Sequence, residues 1–314
     1  MTNSVAISVV IPVYGCVGCL EDLVDRLAVV LKPRSQAFEV LLVDDASPDR
    51  AWARILELCA TRPWLQGLRL ARNFGQHYAI AAGIEHASGA VVVVMDCDLQ
   101  DVPEEIPTLL NSLGAGVEVA FAQRSGRQDK VLKRAGSWAF FRVLSWLTGV
   151  QQDHTTSNFG AYSRKVIDVI NAMPERERCF PLMVKWAGFS SVSVPTRHAA
   201  RMHGNSSYSF KRLVQLGVGI ILSYSDKPLR LVVRLGLLFS AIAFLMTVVS
   251  IFRYMHGDTQ VAGFTSIIAS IWLFGGMTIF CIGILGLYLG RLFVDAKGRP
   301  YYIIADHIGR RSSS

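Results

Sequence analysis

Acidic residues all but disappear after residue 228: of the 24 Asp and Glu, only Asp258, Asp295 and Asp306 lie beyond it. A soluble helical appendage would carry charge on its outer face, so this poverty argues against one. The N-terminus lacks the basic, apolar, small-residue order of a signal peptide. Val5 to Val13 is interrupted by Ser8 and Pro12, which predicts a globular portion that stays in the cytosol. No nucleic-acid-binding motif accompanies the net charge of +8. The basic residues cluster beside apolar stretches, which points to a membrane surface and not to nucleic acid. Cysteine is scarce, with six in 314 residues. Cys16-Val-Gly-Cys19 has metal-knuckle spacing but no second pair, and the six suit reduced thiols in a cytosolic domain.

What fills the acid-poor tail is apolar. Leu235 to Phe252 is uncharged, about 27 Å long as a helix against a hydrocarbon core of ~30 Å. Val261 to Leu289 is a longer uncharged run. The two predict transmembrane helices at about 233–254 and 262–289, with a buried helical hairpin as the alternative. Lys227, Arg230 and Arg234 precede the first span, and Arg291, Lys297 and Arg299 follow the second. Only Arg253, His256 and Asp258 lie between. The positive-inside rule then puts both termini in the cytoplasm. Three parts follow: a cytosolic domain over 1–228, the spans over 229–292, and a cytoplasmic tail over 293–314.

The first half alternates short apolar runs with helical patterns, the signature of parallel βαβ units. Strands are predicted at Ala6–Val13, Phe38–Val43, Leu68–Leu70, Ala90–Met95 and Val117–Ala122. Ser47-Pro48 reads as an N-cap and first helical residue of a helix running to about Cys59. Past residue 125, basic residues mix with aromatics. About 130–149 and 211–225 read as helices lying in the headgroup layer, or else packed on the sheet.

In open α/β sheets the ligand site lies beyond the carboxyl ends of the strands. Polar clusters fall at four such ends: Pro12 to Tyr14, Asp44-Asp45, Arg72-Asn73 and Asp96-Cys97-Asp98. Asp96 and Asp98, two residues apart after a buried strand, can present oxygen to Mg2+ or Mn2+ while leaving positions for phosphates. Asp44 and Asp45 can hydrogen-bond a base or ribose; a turn and helix cap is the other reading of the same residues.

These motifs resemble a known family. Val-Ile-Pro-Val-Tyr, Val-Asp-Asp-Ala-Ser-Pro-Asp, Ala-Arg-Asn-Phe-Gly-Gln-His and Met-Asp-Cys-Asp-Leu-Gln-Asp, in this order, are similar to the family 2 glycosyltransferases. The likeness is greatest to those acting on polyprenyl phosphates, and it extends over Tyr-Ser-Phe-Lys-Arg-Leu, Ser-Asp-Lys-Pro-Leu-Arg and the two-span tail. The resemblance implies an α/β GT-A fold, Rossmann-like with a mostly parallel sheet. It also implies inverting transfer from a nucleotide sugar, UDP- or GDP-linked, to polyprenyl (undecaprenyl) phosphate for cell-envelope modification. By it, Asp96, Asp98 and Gln100 hold the metal, and Pro12, Tyr14 and Asp45 line the nucleotide pocket. Arg124, Arg127, Lys133, Arg134 and Ser137 match the stretch that receives the acceptor phosphate, and Arg201 matches a loop arginine closing over the diphosphate. Arginine suits both tasks because its planar fork binds phosphate oxygens in pairs.

One departure stands out. Relatives commonly read Gly-Asp-Phe-Arg where this chain has Ser157-Asn158-Phe159-Gly160, and that aspartate is often assigned as the base. Asn158 cannot take a proton. Asp153 is a substitute by position, or the acceptor phosphate needs no base. A non-catalytic membrane scaffold with a degenerate transferase domain is the rival reading, and the sequence leaves a homo-oligomer open.

Overall fold

The apolar runs of the first half become the strands of one eight-stranded sheet in the computed structural model, which describes residues 5–35, 37–124, 156–197, 227–256 and 263–309. Ile7–Val13 (β1) and Phe38–Asp44 (β2) are buried at every position and pair in parallel. Strands covered on both faces need such mostly apolar sequences, and the buried Ser8 hydroxyl donates to the Glu39 carboxylate beside it at 2.6 Å. Leu65–Leu70 (β3) lies beside β2, and Val91–Val94 (β4) lies on the other side of β1, both parallel to it. Val119–Arg124 (β5), Thr156–Ser163 (β6) and Ser191–Thr196 (β7) extend the sheet past β4. Ile304–Ile308 (β8) closes the far edge. The order is β7-β5-β6-β4-β1-β2-β3-β8, with β6 antiparallel to both its neighbours and β8 antiparallel to β3. This mixed, mostly parallel sheet is the α/β arrangement expected of a GT-A fold.

Helices cover the sheet through faces set by their sequence. Leu20–Leu31 (α1) buries Leu20, Leu23, Val24, Leu27 and Leu31, a single stripe at helical spacing, and carries Glu21 and Asp22 in its first turn, where acids favour the helix dipole. Ala51–Thr61 (α2) buries Ala51, Ile55 and Leu58. Gln76–His86 (α3) buries six consecutive residues, Ala79 to Ile84, most of them small, and packs against β1 and β2. A methyl group added at Gly83 would lie 2.3 Å from the Val10 Cγ1. Ile106–Asn111 (α4), Arg164–Ala172 (α5) and Phe180–Ala187 (α6) complete this unit.

Strands β3 and β5 are displaced by two or three residues at their boundaries, and two further differences from the expectation concern α2 and the tail. Helix α2 opens at Ala51 with Arg50 at φ 61 before it, and the Arg50 side chain does not cap it. Ser47 does not cap because its hydroxyl oxygen accepts the Gly15 N–H at 2.7 Å. Beyond residue 300 the tail supplies β8, tied down by Arg178, which stacks on the Tyr301 ring at 4.6 Å and is buried.

A second compact unit contains Lys227–Met255 (α7) and Phe264–Ala296 (α8). The Phe239 and Phe274 rings meet edge-on, centroids 6.2 Å apart. Helix α7 contains the first expected span, 233–254, whereas α8 begins at Phe264, within the second, and runs seven residues past Leu289. Among the described residues one segment, Leu273–Ala296, is long and apolar enough to cross a membrane, and none of it is buried.

Candidate active site at the sheet switch point

The chain leaves β1 toward β2 on one side and returns through β4 on the other, so the crevice beyond β1 and β4 is where such sheets bind ligands. Four segments meet there. After β1, Pro12 is buried and Tyr14 is 54% exposed. After β2, Asp44 and Asp45 are both buried. After β3, the exposed Arg72 lies over the Phe74 ring, 4.6 Å from its centroid, next to Asn73. After β4 come Asp96, Asp98 and Gln100, all part-buried, and the buried Asp101.

Val-Asp-Asp-Ala-Ser-Pro-Asp works as a clamp. The Asp44 Oδ1 accepts the Ser47 N–H at 2.9 Å, an Asx-type turn. The Ser47 hydroxyl takes the Gly15 N–H, and the Asp49 Oδ2 takes the Val17 N–H at 2.9 Å. The loop after β1 is thereby held by the loop after β2. Asp49 is part-buried, which pushes its carboxyl up, yet the Ser47 hydroxyl and the amides of Val17 and Ala51 hold it below the usual range. Asp44 and Asp45 go the other way: burial pushes both carboxyls up, against their backbone hydrogen bonds. The buried Asp44 Oδ2 has no hydrogen-bond partner, and the nearest cation, Arg69, is 3.7 Å away.

Asp45 spends its two oxygens on the loop after β3, accepting the Phe74 N–H at 2.7 Å and the Gly75 N–H at 2.8 Å. Next in sequence, the Gln76 side-chain amide donates to the Asp96 Oδ1 at 2.6 Å. In the loop after β4, the Asp96 N–H donates to the Asp101 Oδ2 at 3.2 Å and the Gln100 N–H to the Asp98 Oδ1 at 3.1 Å. Leu99 sits at φ 60, a conformation that costs a non-glycine residue energy and persists because Leu99 is buried in the core.

Cys97, between the two aspartates, is joined to Cys16 in the loop after β1, their Cα atoms 6.5 Å apart. The expectation of six thiols is therefore corrected for these two. The sheet order sets β1 beside β4 and brings together residues 81 apart in sequence. Cys19, Cys59, Cys179 and Cys281 are free. Burial, with the Asp98 and Asp22 carboxylates nearby, pushes the Cys19 thiol up.

Asn158 lies on β6 two residues beyond the Val94–Gly160 pair, on the strand end where Asp96 follows β4. It is part-buried, and its carbonyl accepts the Tyr162 hydroxyl at 3.4 Å. A Cβ at Gly160 would come within 2.8 Å of that hydroxyl. Tyr162 thus fills the space a larger side chain at 160 would need.

Of the other expected site residues, Arg124 ends β5. Arg127, Lys133, Arg134, Ser137, Asp153 and Arg201, with the two basic aromatic segments at 130–149 and 211–225, lie outside the described residues. Among the described residues no group of three or more His, Cys, Asp or Glu converges as a metal cage. The expected oxygen set is smaller than that, two aspartates with the Gln100 amide. Sequence reasoning passed over Gln76 and read Ser47 and Asp49 as helix caps, not as a clamp on the loop after β1. Each was inside a quoted motif, but their partners come from other strands.

Residues 8–170 match the family model described as Glycosyl transferase family 2. Over 312 residues the chain is 33% identical to the undecaprenyl-phosphate 4-deoxy-4-formamido-L-arabinose transferase of Enterobacter sp. (strain 638), covering 98% of this chain and 95% of that one. It is 31% identical over 310 residues to the uncharacterized glycosyltransferase YkcC of Bacillus subtilis (strain 168), covering 98% and 96%. Among solved structures, the mannosyltransferase PcManGT from Pyrobaculum calidifontis, in complex with GDP-Man and Mn2+, gives a TM-score of 0.49 at 17% identity over 71% of this chain and 64% of that one. With the family matched over half the chain and relatives above 30% identity along nearly all of it, the chain belongs to glycosyl transferase family 2.

Proposed function

We propose that this glycosyltransferase moves a sugar from a nucleotide donor to a polyprenyl phosphate, of the undecaprenyl type, with inversion at the anomeric carbon. The observation that carries the reading is the meeting of the Asp44–Asp45, Arg72–Asn73 and Asp96–Asp98 segments at the switch point between β1 and β4. Relatives named for undecaprenyl-phosphate transfer align along nearly the whole chain, which supports the lipid acceptor.

Asp96, Asp98 and Gln100 fit a hard divalent cation, Mn2+ or Mg2+, because all three offer oxygen and two carboxylates leave room for phosphate ligands. When bound, such an ion neutralises the charge growing on the leaving diphosphate. Tyr14, Arg72 and Asn73 are exposed at the crevice, where a ring, a guanidinium and an amide suit a nucleotide. Arg124, Arg127, Lys133, Arg134, Ser137 and Arg201 are proposed to receive the acceptor phosphate and the diphosphate.

The acceptor is a phosphate monoester whose second pKa is about 6, so near neutral pH it is mostly a dianion. A phosphate oxygen bonds to the anomeric carbon as the bond to the nucleoside diphosphate breaks, and no proton has to be removed. Asn158 can then orient the acceptor or sugar through its amide without acting as a base.

The membrane reading rests on Leu273–Ala296 and on parity. Strand β8 pairs with β3, so the chain that leaves the catalytic domain before α7 rejoins it after α8. One crossing alone would leave β8 and β3 on opposite sides. If α8 spans the bilayer, a second crossing is required, and α7 supplies it. With the flanking basic residues this favours a cytoplasmic catalytic domain and cytoplasmic termini.

Incubating the purified full-length protein with a panel of UDP- and GDP-sugars and undecaprenyl phosphate, then weighing the lipid, tests the proposal. A product heavier by one glycosyl residue is expected with one donor. No glycolipid with any donor, from a protein that binds sugar nucleotides, would favour the scaffold reading.

A further inference from the structure

We infer that Gln76 is a positioning residue for the metal-binding carboxylate of Asp96, and that Asp45 acts by fixing the loop that carries Gln76. The inference rests on the reading of Asp96 as a metal ligand and extends it to two residues that touch no metal.

The argument begins with Asp45. Its carboxylate is 3% exposed, and its two oxygens accept the amides of Phe74 and Gly75 at 2.7 and 2.8 Å. Its own N–H donates to the Val13 carbonyl at 3.0 Å, so the carboxylate is anchored to the ends of β1 and β2. Gly75 adopts φ 106 and ψ 154, a region that residues with a Cβ rarely occupy. The chain turns there into α3, whose first residue is Gln76. The helix is pressed onto the sheet closely enough for Gly83 to meet Val10. The backbone of Gln76 is therefore fixed from the N-terminal side by Asp45 and from the C-terminal side by packing.

From that base the side-chain amide spans to the Asp96 Oδ1 at 2.6 Å. A donor on one carboxylate oxygen sets the plane of the group and the direction of its lone pairs, the usual task of an outer partner of a metal ligand. The Asp96 N–H is tied to Asp101, so this carboxylate is guided from backbone and side chain together. Asp45, Phe74–Gly75, Gln76 and Asp96 form a relay from the end of β2, through the N-terminus of α3, to the end of β4. It gives a physical reason for an acid at position 45 that needs no nucleotide.

The test measures Mn2+ binding to the full-length protein in detergent by the loss of the free-ion EPR signal, with Mn2+ alone and with UDP. Gln76→Leu keeps the bulk and removes the donor. It is expected to weaken Mn2+ binding 10- to 100-fold, the usual range for outer partners, and to raise by a similar factor the Mn2+ needed for half-maximal transfer. The melting temperature without metal should hold. Asp45→Asn sets an amide against two N–H donors and should weaken Mn2+ binding in the same direction, and the double variant should lose no more than the worse single one. Affinity within twofold of wild type in Gln76→Leu would overturn the inference, as would losses that multiply in the double variant, since the two residues would then act separately. Asp96→Asn separates this from the reading beneath it. Undisturbed Mn2+ binding in Asp96→Asn would remove the metal assignment itself, whatever Gln76 does.

Discussion

Asn158 is the residue at which the proposed activation of the acceptor can be tested. A phosphate that attacks as its own dianion makes turnover rise through pH ~6 and then level off, following the acceptor and not a protein group. Asn158→Ala is expected to slow transfer, and Asn158→Asp to be tolerated or modestly harmful, because a new carboxylate would face an anionic phosphate. If Asp153→Asn abolished turnover in a folded, donor-binding protein, Asp153 would be the base and the self-activated phosphate would be wrong. Another residue sets an acid limit. The His77 Nδ1 is buried without a hydrogen-bond partner, its Nε2 lies 3.8 Å from the Cys179 sulfur, and burial holds the ring down at about 4, against 6.5 for an ordinary histidine. The folded value lies below the unfolded one, so this contribution to stability is complete above pH 6.5 and is lost as pH falls toward 4, by up to about 3 kcal/mol. Thermal melts at pH 7.5 and 4.5 should show wild type losing more stability than His77→Gln, and equal losses would contradict the burial argument. At this scale the sequence was readable for position, since Asp96, Asp98 and Asn158 lie at the strand ends where the motifs put them. It was not readable where the partner decides: Ser47 has the composition of a helix cap, but Gly15 arrives from β1 and takes its hydroxyl.

The strands were legible as elements because short, mostly apolar runs such as Ile7–Val13 suit a strand covered on both faces. The edges were less so. β7 alternates exposed and buried positions, and β8 mixes Asp306 and His307 with Ile304 and Ile308, so neither carries the mostly apolar run that marks the central strands. Packing tolerances follow from the same architecture. Gly83→Ala gains helix propensity but drives a methyl into Val10. Such overpacking is expected to cost about 1–3 kcal/mol and to exceed the gain of about 1 kcal/mol, lowering the melting temperature. An unchanged or raised value would mean that α3 can lift off β1. The Cys16–Cys97 bond is also an element-scale fact, since it ties the loop after β1 to the loop that carries Asp96 and Asp98, the aspartates proposed to hold the metal. A reducing cytosol favours the dithiol, so the oxidised form is to be sought in protein kept from reductant. Maleimide labelling of denatured protein should then find four thiols, matching the four free cysteines, and all six cysteines of the sequence after reduction. Six thiols without reductant would contradict the pairing.

At the scale of the whole molecule, the sheet gathers polar residues from four strand ends into one crevice, and the chain returns from α8 to finish that sheet with β8. The contrast between an acid-rich first part and an apolar tail was plain in the sequence. The return was not, because β8 pairs with a strand more than 230 residues earlier. The central claim is metal-dependent transfer of a sugar to a polyprenyl phosphate, and its most direct test compares wild type with Asp98→Ala. Both proteins, purified full-length and matched in melting temperature, are incubated with Mn2+, the nucleotide sugar selected by the panel and undecaprenyl phosphate, and the lipid product is quantified by mass. The account predicts glycosylated lipid from wild type, none when EDTA replaces Mn2+, and at least a hundredfold less from Asp98→Ala, the loss of roughly 2.7 kcal/mol or more of transition-state stabilisation. Near-wild-type turnover in Asp98→Ala, or full activity in excess EDTA, would contradict it.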